Sequence, residues 1–247
     1  MEIFILIISS FITSSISAVI GMGGGIILLG IMAIFIPQGY MAIALHGIIQ
    51  LISNLTRTYI YRDNLKFQII KQFFLGAIVG VLLSIVLILV LINFFNVYSA
   101  DQIKFDVLKP LIGIFILWSL FLKKKMQKIQ NNSFLLAGSI AGLSSIFIGA
   151  TGPLISPFFL NKSLLKEDVI VNKAACQVIT HVTKIPIFIY FFNMNYMREL
   201  NILCPLIIAV FVGTAVGKKI LSFIPEELFK KIFKFTLFII AIRLLLN

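Results

Sequence analysis

The sequence predicts an all-α integral membrane protein: two inverted-topology repeats with about 8–10 transmembrane segments, including short broken or re-entrant helices. Three observations predict it. The first is composition. Of 247 residues, 60% are apolar, 12% are charged and 24 are Phe, and the mean hydropathy is +1.09. A soluble domain carries about 25% charged residues because it must present a wetted surface. The second is a series of long apolar runs. The third is the recurrence of one set of glycine and polar motifs in both halves of the chain.

A spanning helix needs about 20 apolar residues, since ~30 Å of hydrocarbon is crossed at ~1.5 Å per residue. Runs that qualify are Ile3–Ile20, Met41–Tyr61, Gln68–Phe95, Val107–Leu122, Val169–Phe192, Leu200–Gly217 and Ile232–Leu246. Phe134–Ile148 is slightly short. Ile26–Ile36 and Leu154–Leu160 are shorter still, and each is entered through a glycine-rich break. Helices are expected throughout, because in lipid each segment must satisfy its own backbone. The runs lack the alternation of barrel strands. No positive region precedes Ile3–Ile20, so it is read as part of the mature protein rather than as a leader.

The net charge of +12, from 21 Lys and Arg against 9 Asp and Glu, is not the footprint of a nucleic-acid binder. The basic residues gather in connections: Arg57, Arg62, Lys66 and Lys71; Lys123, Lys124, Lys125 and Lys128; Lys218, Lys219, Lys230 and Lys231. The intervening connections are neutral or balanced. Placing every basic loop in the cytoplasm leaves both termini outside. Cys176 and Cys204 lie in apolar segments without metal-ligand spacing, so no metal or other cofactor is expected.

The repeat is the most informative feature. Gly21-Met-Gly-Gly-Gly in the first half answers Gly149-Ala-Thr-Gly-Pro in the second. Gln50-Leu-Ile-Ser-Asn-Leu-Thr-Arg57 aligns without gaps with Gln177-Val-Ile-Thr-His-Val-Thr-Lys184, and Gly76/Gly80 answer Gly213/Gly217. The chain therefore divides into residues 1–122, a basic cytoplasmic linker 123–133, and residues 134–247. Each half has an odd number of crossings, so the second enters from the opposite side. Such inverted repeats with broken helices are a recurrent architecture of secondary transporters.

A helix that begins inside the membrane points unpartnered N–H groups and a positive dipole end at whatever lies there, which favours an anion. Gly23, Gly24 and Gly25 mark one such start, Thr151, Gly152 and Pro153 the other. Gly76/Gly80 and Gly213/Gly217 are read instead as helix-packing surfaces. The second motif lies on helices: Gln50, Ser53, Asn54 and Arg57 fall at i, i+3, i+4 and i+7, one polar stripe, and Gln177, Thr180, His181 and Lys184 repeat it. His46 extends the first stripe by a turn. A polar stripe in lipid must face protein or water. The expected substrate-binding set is thus Gly23, Gly24, Gly25, Gln50, Ser53, Asn54, Arg57, Thr151, Gly152, Gln177, Thr180, His181 and Lys184, with His46 and His181 as candidates for handling protons. Arg57, near a helix end, could equally reach the headgroups. All nine acids fall in loops or near termini, where a cation transporter would place one inside a span.

Two halves of about this size, each with a glycine-rich break (Gly21–Gly25 and Gly149–Pro153) followed by a polar helix, resemble the sulfite exporter TauE/SafE family of bacterial membrane transporters. The resemblance covers the whole chain, with departures from the fuller glycine motif at Ala150, Thr151 and Pro153. It implies a multi-pass protein of the bacterial inner membrane that moves small sulfur-containing anions such as sulfite, thiosulfate or organosulfonates. The expectation is a secondary transporter of such an anion working by alternating access, not an enzyme. The alternatives are an anion channel on the same scaffold and, with less support, a membrane-embedded enzyme or a scaffolding protein. Expected partners are the anion, the bilayer, and a proton or sodium ion for coupling; a homodimer is compatible with the sequence, a nucleic acid is not.

Overall fold

The computed structural model describes residues 1–20, 24–103, 108–121, 134–159 and 164–220, together with Phe235, Phe238, Ile239, Ala241, Ile242, Leu245 and Leu246. Gly21, Gly23, Lys162 and the 123–133 linker lie outside the described residues. Among the described residues, all regular structure is helical. Helix α1 spans Glu2–Ile20, α2 Gly24–Phe35, α3 Gly39–Ile60, α4 Phe67–Phe94 and α5 Leu108–Phe121. In the second half, α6 spans Phe134–Phe147 and α7 is a single turn, Gly152–Ile155, prolonged by a 3-10 turn, Ser156–Phe159. Helix α8 then spans Lys166–Phe191 and α9 Leu200–Ile220. The described residues after position 234 are helical.

Three of these helices, over Phe67–Phe94, Glu167–Phe191 and Leu200–Gly217, are long and apolar enough to cross a membrane by themselves. Segments Glu2–Ala18, Gly24–Phe35 and Phe134–Phe147 are apolar but shorter. Helix α3 is also long and, like α8, carries a polar stripe. That stripe is turned inward.

The largest helix contacts are reciprocal. The first helix of each half packs on the fourth helix of the other, α1 on α9 and α6 on α4, and the two third helices, α3 and α8, pack on each other. Small residues make this possible. A Cβ at Gly76 would strike the carbonyl of Leu135, and one at Gly80 the carbonyl of Ser139; Gly138 and Gly142 meet Phe73 and Ala77 in return. Gly213 and Gly217 sit against the backbone of Phe11 and Ser15, and the Ser15 hydroxyl donates to the carbonyl of Gly213 at 2.8 Å. Without a hydrophobic drive between helices in lipid, close backbone approach and such hydrogen bonds supply the cohesion.

Burial follows the same logic. Helix α1 buries Ser10, Thr13, Ser14 and Ser17 and exposes Phe4, Ile8 and Ile12; α4 exposes Leu75, Val79, Leu82, Leu83 and Val86. In water this would be inside out. In a bilayer it is the ordinary arrangement, because lipid tails accept apolar side chains and reject hydroxyls. Two of these buried hydroxyls bond their own helix: Thr13 to the carbonyl of Ser9 at 2.6 Å and Ser14 to that of Phe11 at 3.0 Å.

The polar ends hold α3 and α8 in register. Asp168 accepts from Lys66 at 2.9 Å, from Asn64 at 3.2 Å and from the backbone of Leu165 at 3.3 Å. Asn172 accepts from the Lys66 backbone at 2.7 Å and donates to the Asn64 carbonyl at 3.1 Å. The loop after α3 is thereby tied to the first turn of α8, which aligns the two stripes. At the opposite end of the pair, Tyr40 stacks on Phe192 with centroids 5.8 Å apart.

Candidate functional site

Helices α3 and α8 bring their stripes together at the centre of the bundle. His46, Gln50, Ser53, Asn54 and Arg57 on α3 are buried, as are Thr180, His181 and Lys184 on α8. Between the two helices and the two breaks lies a small polar cavity of about 20 Å³. Ser17, Gly25, Ile26, His46, Gln50 and Arg57 line it from the first half, and Ala150, Gly152, Pro153, Gln177 and His181 from the second.

The two halves meet the cavity in the same way. A Cβ at Gly25 would lie 3.1 Å from the amide of Gln50, and one at Gly152 would lie 3.2 Å from the amide of Gln177. At both points an added methyl would press on the glutamine amide and push it by a few tenths of an ångström. Gln177 follows Gln50 by 127 residues, and Gly152 follows Gly25 by the same 127. One offset therefore relates break and stripe in both halves.

The basic residues hold the ends of the helices that precede the breaks. Arg57 is 2% exposed; it donates to the carbonyls of Ser17 at 3.3 Å and Ser53 at 3.4 Å, and to the side-chain oxygen of Asn54. Headgroup contact, one of the two expectations for Arg57, is not what the fold uses. Lys184 lays its stem over Gly47 and donates to the carbonyl of Gly149 at 3.1 Å. The carbonyl end of a helix carries partial negative charge, so a buried cation is stabilised there. Among the described residues, neither Arg57 nor Lys184 has a carboxylate within ion-pair distance.

The histidines differ from each other. His46 donates from Nε2 to the carbonyl of Gly25 at 2.8 Å, which leaves Nδ1 without a partner. His181 has no partner on either ring nitrogen. The rings lie edge to face, 6.1 Å apart. A buried polar group normally finds a hydrogen bond, and both ring nitrogens of His181 in the cavity wall lack one.

Of the expected binding residues, Gly25, Gln50, Arg57, Gly152, Gln177 and His181 reach the cavity, with His46. Gly24, Ser53, Asn54, Thr151, Thr180 and Lys184 do not line it. Gly24 serves packing instead, because a Cβ there would strike the backbone of Thr13 and the hydroxyl of Ser17. Ser53 pairs with Thr214 at 3.3 Å, Thr180 caps back to the carbonyl of Gln177 at 2.9 Å, and Asn54 is engaged by Arg57. Thr151 is buried beside the break with its hydroxyl unpartnered. Gly23 lies outside the described residues.

Two contributors escaped the sequence reading. Ser17 stands in an apolar run among other hydroxyls, with nothing local to single it out. Lys173 was findable: it lies 127 residues after His46, so extending the ungapped repeat by one helical turn exposes it. It is 1% exposed, and its ammonium donates to the hydroxyl of Ser156 at 2.6 Å.

Among the described residues the lining offers a guanidinium, two amides, two imidazoles and a hydroxyl, and no carboxylate. These groups can bind and neutralise an oxyanion. No group of three or more His, Cys, Asp or Glu side chains able to hold a metal occurs among the described residues. Comparison with known proteins points the same way. The family model described as sulfite exporter TauE/SafE matches residues 6–244. No curated protein and no solved structure matches the chain.

Proposed function

Because the chain belongs to the sulfite exporter TauE/SafE family, we propose that it carries a small sulfur-containing oxyanion or organosulfonate across the bacterial inner membrane. The observation that carries this reading is the cavity between Gly25 and Gly152, walled by Gln50, Gln177, His181 and Arg57 and without a carboxylate among the described residues that line it. Residues 1–122 and 134–247 act as inverted repeats, both termini lie outside, and transport proceeds as one repeat rocks against the other. The cavity size supports this. About 10–15 Å³ accommodates one water, so a space of about 20 Å³ is too small for the four heavy atoms of sulfite. Substrate enters only when the halves separate. On this reading His46 and His181 couple a proton to that movement.

The test is uptake of labelled sulfite by proteoliposomes with and without an imposed proton gradient, alongside a thermal-shift screen of sulfite, sulfate, thiosulfate, taurine, sulfoacetate and simple carboxylates. Accumulation above the electrochemical equilibrium supports a coupled transporter; flux that only follows the gradient identifies a channel. Stabilisation by a cation and by none of the anions overturns the proposal.

A further inference from the structure

The two breaks are each held by a side chain from the polar helix that follows, at equivalent positions but with different chemistry. In the first half His46 donates straight to the carbonyl of Gly25 at 2.8 Å. In the second half Lys173, 127 residues later, donates to the hydroxyl of Ser156 at 2.6 Å. Ser156 in turn donates to the carbonyl of Gly152 at 2.6 Å. Gly25 and Gly152 are the equivalent cavity-lining glycines. The carbonyl of Gly152 also receives the backbone N–H of Ser156, so the short turn α7 closes on that one atom.

We propose that Lys173, acting through Ser156, is the positioning residue of the second break, as His46 is of the first. The inference rests on the cavity being the anion site. Ser156 can give only one proton, and an ammonium, which is always a donor, forces that proton toward Gly152. Helix α7 has a single turn, too short to hold its own geometry, whereas α2 runs for three. The half with the weaker break carries the stronger tie.

The test uses the full chain in nanodiscs and reads amide exchange at both breaks. Lys173→Met and Ser156→Ala are expected to speed exchange at Leu154, Ile155 and Ser156 about tenfold while leaving residues 24–35 unchanged; His46→Leu is expected to do the reverse. Lys173→Arg, which keeps the donor and the charge, should retain near-native exchange. In proteoliposomes Lys173→Met should raise the KM for sulfite about tenfold with Vmax within about threefold. Unchanged exchange at 154–156 in Lys173→Met, or equal acceleration at both breaks, overturns the assignment. If wild-type protein takes up no anion yet the exchange is break-specific, the positioning role stands and the transport reading falls.

Discussion

The ammonium of Lys184 donates to the carbonyl of Gly149 at 3.1 Å, beyond the end of α6 and at a glycine whose φ of +85° no other residue type adopts easily. The same role falls to Arg57 at the carbonyl of Ser17 in α1. A basic side chain at the equivalent position of each stripe thus grips the helix end in front of each break. Only Arg57 also reaches the cavity.

Lys184 should therefore matter first to folding. Lys184→Met leaves the Gly149 carbonyl without its donor in a dry interior, at a cost of about 1–3 kcal/mol. A lowered thermal unfolding midpoint in detergent checks this. Wild-type stability combined with lost sulfite binding would return Lys184 to the substrate.

Arg57 should matter to both folding and transport. Arg57→Lys keeps the charge but cannot reach Ser17, Ser53 and Asn54 at once, because an ammonium lacks the planar fork. Uptake is expected to fall about tenfold in Arg57→Lys and further in Arg57→Gln. Initial rates of sulfite uptake at matched protein content provide the measurement. Full activity in Arg57→Gln would exclude a substrate role.

The glycines that face glutamines should behave alike in the two halves. Gly25→Ala and Gly152→Ala each place a methyl within 3.1–3.2 Å of an amide and should displace Gln50 or Gln177 from the cavity. Each is expected to reduce uptake with little loss of folded protein. In a Gln50→Ala background, Gly25→Ala should add almost nothing, since the two changes act through one contact. Additive losses would show that Gly25 acts otherwise.

Gly76 and Gly138 should behave differently. A Cβ at either strikes backbone across the α4–α6 contact, which no rotamer change relieves. Gly138→Val is expected to destabilise the protein by about 1–3 kcal/mol or more, visible as loss of monodisperse protein on size exclusion. Normal yield and stability would mean the contact can open at little cost.

The histidine pair makes a pH-dependent prediction. If His46 and His181 carry the coupling proton, the double variant His46→Gln/His181→Gln loses the dependence of uptake on the pH gradient while keeping downhill flux. Gradient-dependent uptake in that variant would assign coupling elsewhere, including to the substrate's own protonation.

Much of this was readable before folding. Helix boundaries in the described residues fall within a few residues of the apolar runs, because lipid imposes one length and one backbone solution. The polar stripes were readable from their i, i+3, i+4 and i+7 spacing, since a helix turns that spacing into one face. Gly76 and Gly213 pack helices as expected. The glycine cluster was harder: Gly24 and Gly25 are adjacent in sequence, yet one meets α1 and the other meets Gln50, and nothing local separates those roles.

By itself the sequence determined the membrane class and the helical elements, and it set the repeat and the anionic sign of the guest as expectations. Each follows from composition or from periodicity along one chain. Only the tertiary structure decided which polar groups are already spent. Ser53 is consumed by Thr214, the side-chain oxygen of Asn54 by Arg57, and Lys184 by Gly149, whereas His181 keeps both nitrogens bare. A hydrogen bond needs its partner within about 3 Å, and those partners come from helices up to 161 residues away. Their meeting is a property of packing, which spacing along the chain does not record.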